Sequence, residues 1–242
     1  MNDEALYELA AEEIVAGRIK RGLWAKAYAA ALGETHHATR TPLNPLAIAS
    51  NYVRLIADRR FVVPAATVSL IMGGLFAMFS AAPRVLIEGM GFTPIQLGLF
   101  FAGTVLIVFA AGMSATKLAP RLRLDRAIQI GLLLTASGSL AILLVSLFNA
   151  AFLPFLASMC VFLLGMGIVN PLGTAQALSP FGEKAGAASA LVGFWQMMSA
   201  AIAVWLAATV SHQAMVALGL VLTVASLVAV GLYTRRARSS QP

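Results

Sequence analysis

Between Arg126 and Glu183 the chain reads AIQIGLLLTASGSLAILLVSLFNAAFLPFLASMCVFLLGMGIVNPLGTAQALSPFG, residues 127–182, without one Lys, Arg, Asp or Glu. One helical crossing of a hydrocarbon core takes about 20 apolar residues. The run therefore holds two crossings, with Asn149 marking the turn between them and Pro154 in the first turn of the second. Working outward, residues 61–83, 89–116 and 185–234 are also free of Lys, Arg, Asp and Glu. The first two fit one crossing each and the last fits two, with a break at Ser211-His212-Gln213. The expected spans are 61–83, 94–116, 126–147, 152–176, 185–209 and 213–234.

Composition agrees. The chain is 60% apolar and 11% charged, whereas a soluble domain averages about 45–50% and about 25%. Backbone facing lipid must satisfy its own amides, which leaves helices or closed barrels. The alternating pattern of a barrel strand is absent from these runs. Asp125 is placed to cap the third span, and Thr93-Pro94 reads as a cap followed by proline at the first helical position.

The net charge of +7 would suit nucleic acid, but the basic residues sit at the ends of the apolar runs, where they set orientation. With residue 60 in the cytoplasm, that side carries Arg54, Arg59, Arg60, Lys117, Arg121, Arg123, Arg126, Lys184, Arg235, Arg236 and Arg238, and the other side only Arg84. Both termini are then cytoplasmic. The expected address is a bacterial inner (plasma) membrane, with the lipid bilayer as solvent and no nucleic-acid partner.

Ahead of the spans, residues 1–33 read as a cytosolic helical hairpin broken at Gly17, and 34–57 as a linker. The membrane domain is 58–235 and a basic cytosolic tail follows over 236–242. No basic-then-apolar leader opens the sequence.

Chemistry is sparse. Cys160 is the sole cysteine, which excludes an internal disulfide and a Cys-based metal site. The His36-His37 pair has no further ligands near it in sequence, and His212 and Glu88 read as solvated loop residues. No catalytic set, metal site or cofactor motif is present, so an enzyme is not expected. No ionisable residue lies within the core of a span, and such residues are the usual mark of an ion path.

The fifth span carries the most structured pattern. Ser189, Gly193, Gln196, Ser199 and Ala203 share one face, and Trp195, Met198, Ile202 and Trp205 another. The bulky face suits lipid. The small, polar face suits close helix packing or the lining of a cavity, in which Gln196 would contact a polar group of a substrate. In the first span Ser69, Gly73, Phe76, Ser80 and Pro83 share a face with Phe79 beside it. Those aromatics would meet either lipid or a flat apolar ligand. Asn170-Pro171 after Gly165 and Gly167 points to a hinge or kink at Pro171.

Three stretches resemble the C-terminal six-helix half of a major facilitator transporter, in the drug:proton antiporter branch that includes bicyclomycin-resistance-type efflux proteins. They are Asn51-Tyr52 through Phe76, Ser80 and Pro83 to Gly91-Phe92-Thr93-Pro94; Gly112 through Lys117, Pro120, Arg121 and Arg126 to Gly131; and Gly165-Met166-Gly167 through Pro171, Ser179-Pro180-Phe181 and Ala185-Gly186 to Gln196. The resemblance implies an all-α polytopic fold of two inverted three-helix repeats. It implies that Lys117, Arg121 and Arg126 belong to a second, degenerate copy of the family's cytoplasmic loop motif. It also implies a substrate route lined in part by the first and fifth spans, hence by Phe76, Phe79, Ser80, Ser189, Gly193 and Gln196. The family's N-terminal half, which holds much of its proton-coupling apparatus, has no counterpart in these residues. Gly22 to Ala27 instead resembles a short module found at the front of various bacterial proteins.

The reading favoured is a half-transporter for a small amphipathic molecule, pairing with itself or with another half. The alternatives are a non-transporting remnant or regulatory protein, and a membrane-anchored interaction module with residues 1–33 as its working part.

Overall fold

The computed structural model describes residues 45–118, 122–148 and 151–239. The segments read as the 1–33 hairpin and as the first part of the linker, with His36 and His37, lie outside them. The chain divides into two compact units, Met1–Ile48 and Ala49–Pro242, and the second holds the membrane helices.

The helices are α1 Pro45–Ala57, α2 Arg59–Ala82, α3 Pro94–Leu118, α4 Leu124–Phe148, α5 Phe152–Leu178, α6 Ala185–Thr209 and α7 Ala214–Ser239. A π-helical segment, Pro83–Glu88, extends α2, and a 3-10 segment, Ser179–Lys184, joins α5 to α6. No strand occurs among the described residues. Helices α2 to α7 are each long and apolar enough to cross a membrane. At 1.5 Å per residue, a 25-residue helix such as α3 is about 37 Å long, more than the hydrocarbon core requires.

Local chemistry sets the ends. The Asp58 carboxylate accepts from the Arg60 N–H at 2.8 Å and caps α2. Ahead of α3, the Thr93 N–H donates to Gln96 Oε1 at 2.8 Å and the Gln96 N–H donates to Thr93 Oγ1 at 3.3 Å. This reciprocal box completes the cap expected at Thr93. Gly91, at φ 72°, lets the chain reverse between the π segment and α3, where a side chain would strain the backbone.

Several boundaries differ from expectation. The linker assigned to 34–57 ends in a helix, because Pro45 can open α1 without losing a hydrogen bond and Leu55 finds a buried seat. The last helix runs to Ser239, so the tail assigned to 236–242 starts as helix. Helix α5 runs through Pro171 to Leu178, two residues beyond the expected end at 176. Asp125 does not cap α4. It lies in the helix's first turn, and its carboxylate is used elsewhere.

The pairing of spans follows the two-repeat plan. The six most extensive contacts are α4–α5, α2–α6, α4–α7, α2–α7, α3–α5 and α2–α5. Exchanging α2 with α5, α3 with α6 and α4 with α7 maps this set onto itself. Two three-helix units of equivalent packing result, and three spans apiece makes one run opposite to the other through the bilayer.

Close approach depends on glycine. A side chain at Gly138 of α4 would overlap the Phe162 backbone of α5. One at Gly165 would meet Gly131 and Thr135 of α4, whereas one at Gly167 would meet Val108 and Ala111 of α3. The two glycines read as preludes to a hinge therefore seat α5 between α3 and α4. The core around Met159, Phe162, Ile142 and Leu222 is fully buried. By contrast, α3 exposes Ile95 (78%), Leu106 (70%) and Phe109 (68%). Such a stripe is stable only against lipid or another protein.

Candidate functional site

Helices α2 and α6 meet where a side chain on Gly73 would touch the Ser199 carbonyl at 2.8 Å. The candidate residues lie on these two helices, on either side of this contact. Gln196 is three residues before Ser199, and Phe76 three residues after Gly73. Because first and fifth spans run the same way, the two are about 9 Å apart along the helix axes.

Each candidate has a distinct setting. Phe76 is half-buried. Phe79 is half-buried and meets Phe101 of α3 edge-on, with ring centroids 5.3 Å apart. Ser80 is exposed. Ser189 is exposed, and its hydroxyl turns back to donate to the Gly186 carbonyl at 3.3 Å. The space beside Gly193 is open, with no atom within 4 Å of where a side chain would begin. Gln196 is half-exposed, one residue from the midpoint of α6, and none of the described residues hydrogen-bonds its amide.

The small, polar face of α6 thus divides. Ser199 and Ala203 are used for packing on α2 and the α7 side, as the packing reading expects. Ser189, Gly193 and Gln196 face uncovered space. The bulky face divides too: Ile202 and Trp205 are exposed, but Trp195, expected toward lipid, is half-buried with its ring 6.0 Å from that of Phe61. Of the loop-motif residues, Arg126 is exposed at the start of α4. Arg121 and the side chain of Lys117 lie outside the described residues.

Two features were not read from the sequence. The first joins three helices at one end of the bundle. The Gln176 Nε2 donates to Asp125 Oδ1 at 2.7 Å, and the Tyr233 hydroxyl lies 2.9 Å from the same oxygen and 3.0 Å from Gln176 Oε1. One hydroxyl proton is shared between two acceptors. The sequence signal was Gln176, an amide near the end of an apolar span. The second is a cavity of about 350 Å³ between α3 and α5, lined by Phe109, Gly112, Gly167, Asn170 and Pro171 among others. The Asn170 Oδ1 is buried with no hydrogen-bond partner.

Comparison with known proteins is consistent with this geometry. Residues 23–204 match the model of the Major Facilitator Superfamily, beginning inside the segment read as a separate helical module. The chain is 29% identical over 189 residues to the "Multidrug resistance protein MdtL" of Salmonella heidelberg (strain SL476), and equally to that of Salmonella typhi. Each match takes in 76% of this chain and 45% of the relative. The chain therefore spans about half the length of these curated relatives.

Proposed function

The chain belongs to the Major Facilitator Superfamily, and from that premise we propose that its six spans form one half of a transport route for a small amphipathic molecule. A second copy, or a separate partner half, completes the route. The direction is outward, by analogy with relatives named for multidrug resistance. The protein resides in the inner membrane with both helix-bundle termini on the cytoplasmic side, the orientation that the arginine distribution favours.

One observation carries the reading. At mid-span the Gln196 amide has no partner among the described residues, beside the open space at Gly193. An amide left against hydrocarbon at that depth costs several kcal/mol, on the order of the penalty for any unpaired polar group in lipid. A water-containing cavity between two halves removes the penalty. It also supplies a polar contact for a substrate whose apolar part rests on Phe76 and Phe79. The hinge at Pro171 belongs to the same proposal. A proline on α5, beside the α3–α5 cavity, lets one face of the half yield as the route opens.

The test is transport by the full chain in proteoliposomes, with a fluorescent amphipathic cation as probe. Wild-type protein moves the probe across the bilayer, and Gln196→Ala or Phe76→Ala slows it. If the wild type moves no more probe than empty vesicles, transport is excluded and a non-transporting regulatory or anchoring role takes its place.

A further inference from the structure

The end of the bundle where α4 begins and α7 finishes concentrates positive charge. Arg123, Arg126 and Arg235 are exposed there, and Arg236 is half-buried beside them. The two helices pack together, and the 2.9 Å contact between Asp125 and Tyr233 brings these arginines within a helical turn or so of one junction. Asp125 is the one acid facing the cluster among the described residues, and it accepts hydrogen bonds from Gln176 and Tyr233. Among the described residues, no ion pair to a carboxylate is formed by Arg123, Arg126 or Arg235.

Orientation alone would account for basic residues at a span's end, but would not require a shaped surface beneath them. One is present. A groove of about 200 Å³ runs between α4 and α7, lined by Gln129, Leu132, Leu133, Val230, Tyr233 and Thr234. Gln129 is one turn from Arg126 on the same face of α4, and Thr234 precedes Arg235. The groove is thus apolar toward mid-membrane, with hydrogen-bonding groups above, and Arg126 and Arg235 stand at the same end of its two helices. That gradient matches a phospholipid: chain, ester region, phosphate.

We propose that this groove is a binding site for one anionic glycerophospholipid, with an acyl chain against Leu132, Leu133 and Val230 and the phosphate between Arg126 and Arg235. Guanidinium forks pair well with phosphate oxygens, and basic pockets between membrane helices suit anionic head groups. The site lies on the third and sixth spans, and none of the substrate-route candidates on α2 and α6 lines it. It depends on the helices crossing a bilayer and not on the chain transporting anything.

The experiment measures lipid binding to the full-length purified protein, with phosphatidylglycerol as probe and phosphatidylcholine and glycerol phosphate as comparisons. The wild type is expected to prefer phosphatidylglycerol to both. Arg126→Gln with Arg235→Gln is expected to lower its affinity about thirty-fold, from the usual effect of two basic residues near a membrane surface. Leu133→Trp keeps every charge, alters an exposed residue and fills the groove, so it should also weaken binding. Arg59→Gln with Arg60→Gln, on α2, which lines no part of the groove, should not. The proposal is overturned if the α2 pair weakens binding as much as the groove pair. It is equally overturned if glycerol phosphate binds as well as the lipid, or if Leu133→Trp binds like wild type.

Discussion

The hydroxyl of Tyr233, near the end of the last helix, lies 2.9 Å from the carboxylate of Asp125 in the first turn of α4. This contact joins the last helix of the second repeat to the last helix of the first, and Gln176 of α5 closes the triangle. Tyr233 is 1% exposed, so its hydroxyl has these partners or none.

Removing that hydroxyl should loosen the junction without creating a cavity. Tyr233→Phe is expected to lower stability by about 0.6–1.7 kcal/mol, the range of interhelical hydrogen bonds measured in membranes. Because the three side chains form one network, Gln176→Leu in the same protein should add less than its separate effect. Thermal unfolding in detergent of the two single variants and the double variant checks both statements. Fully additive losses would mean that the bonds act independently.

Glycine-mediated contact should sort sharply by position. At Gly138 a side chain collides with the Phe162 backbone, and at Gly186 it meets nothing. Gly138→Val should cost upwards of about 1–3 kcal/mol, the usual range for overpacking, and reduce the yield of folded protein. Gly186→Val should leave the melting temperature within error of wild type. Equal behaviour of the two would contradict the α4–α5 packing.

Orientation can be read by thiol labelling, since Cys160 is the sole native cysteine. In a Cys160→Ser background, single cysteines at Met90, Ala150 and His212 should react with an impermeant reagent from outside the cell. Cysteines at Leu122, Glu183 and Arg235 should react only after permeabilisation. Any position labelled on the wrong side changes the number of crossings.

Much of this fold could be read from the sequence because the membrane imposes one simple demand. Uncharged runs have to become helices, and charges mark their ends. The fifth span, expected at 185–209, is found at Ala185–Thr209. The cap at Thr93 was legible because a local hydrogen bond decides it. Interactions between distant segments were not. Asp125 carries the mark of a helix cap, and only the folding of α5 and α7 against α4 brings Gln176 and Tyr233 to it. Likewise, helical periodicity put Trp195 beside Trp205, whereas the aromatic seat made by Phe61 draws it inward. On α6, spacing identified the small, polar face but could not divide it into the part packed on α2 and the part left open.

The proposed water-lined route is tested most directly by comparing cysteines at Gly193 and Met197 in the Cys160→Ser protein, in native membranes, with a charged membrane-impermeant maleimide. Both positions are near the middle of α6. Gly193 borders the open space beside Gln196, while Met197 is 53% exposed on the adjoining apolar surface. If a cavity is present, Gly193→Cys is labelled, an amphipathic cation protects it, and Met197→Cys stays unreactive. If neither position is labelled, the open face of α6 meets lipid and there is no route.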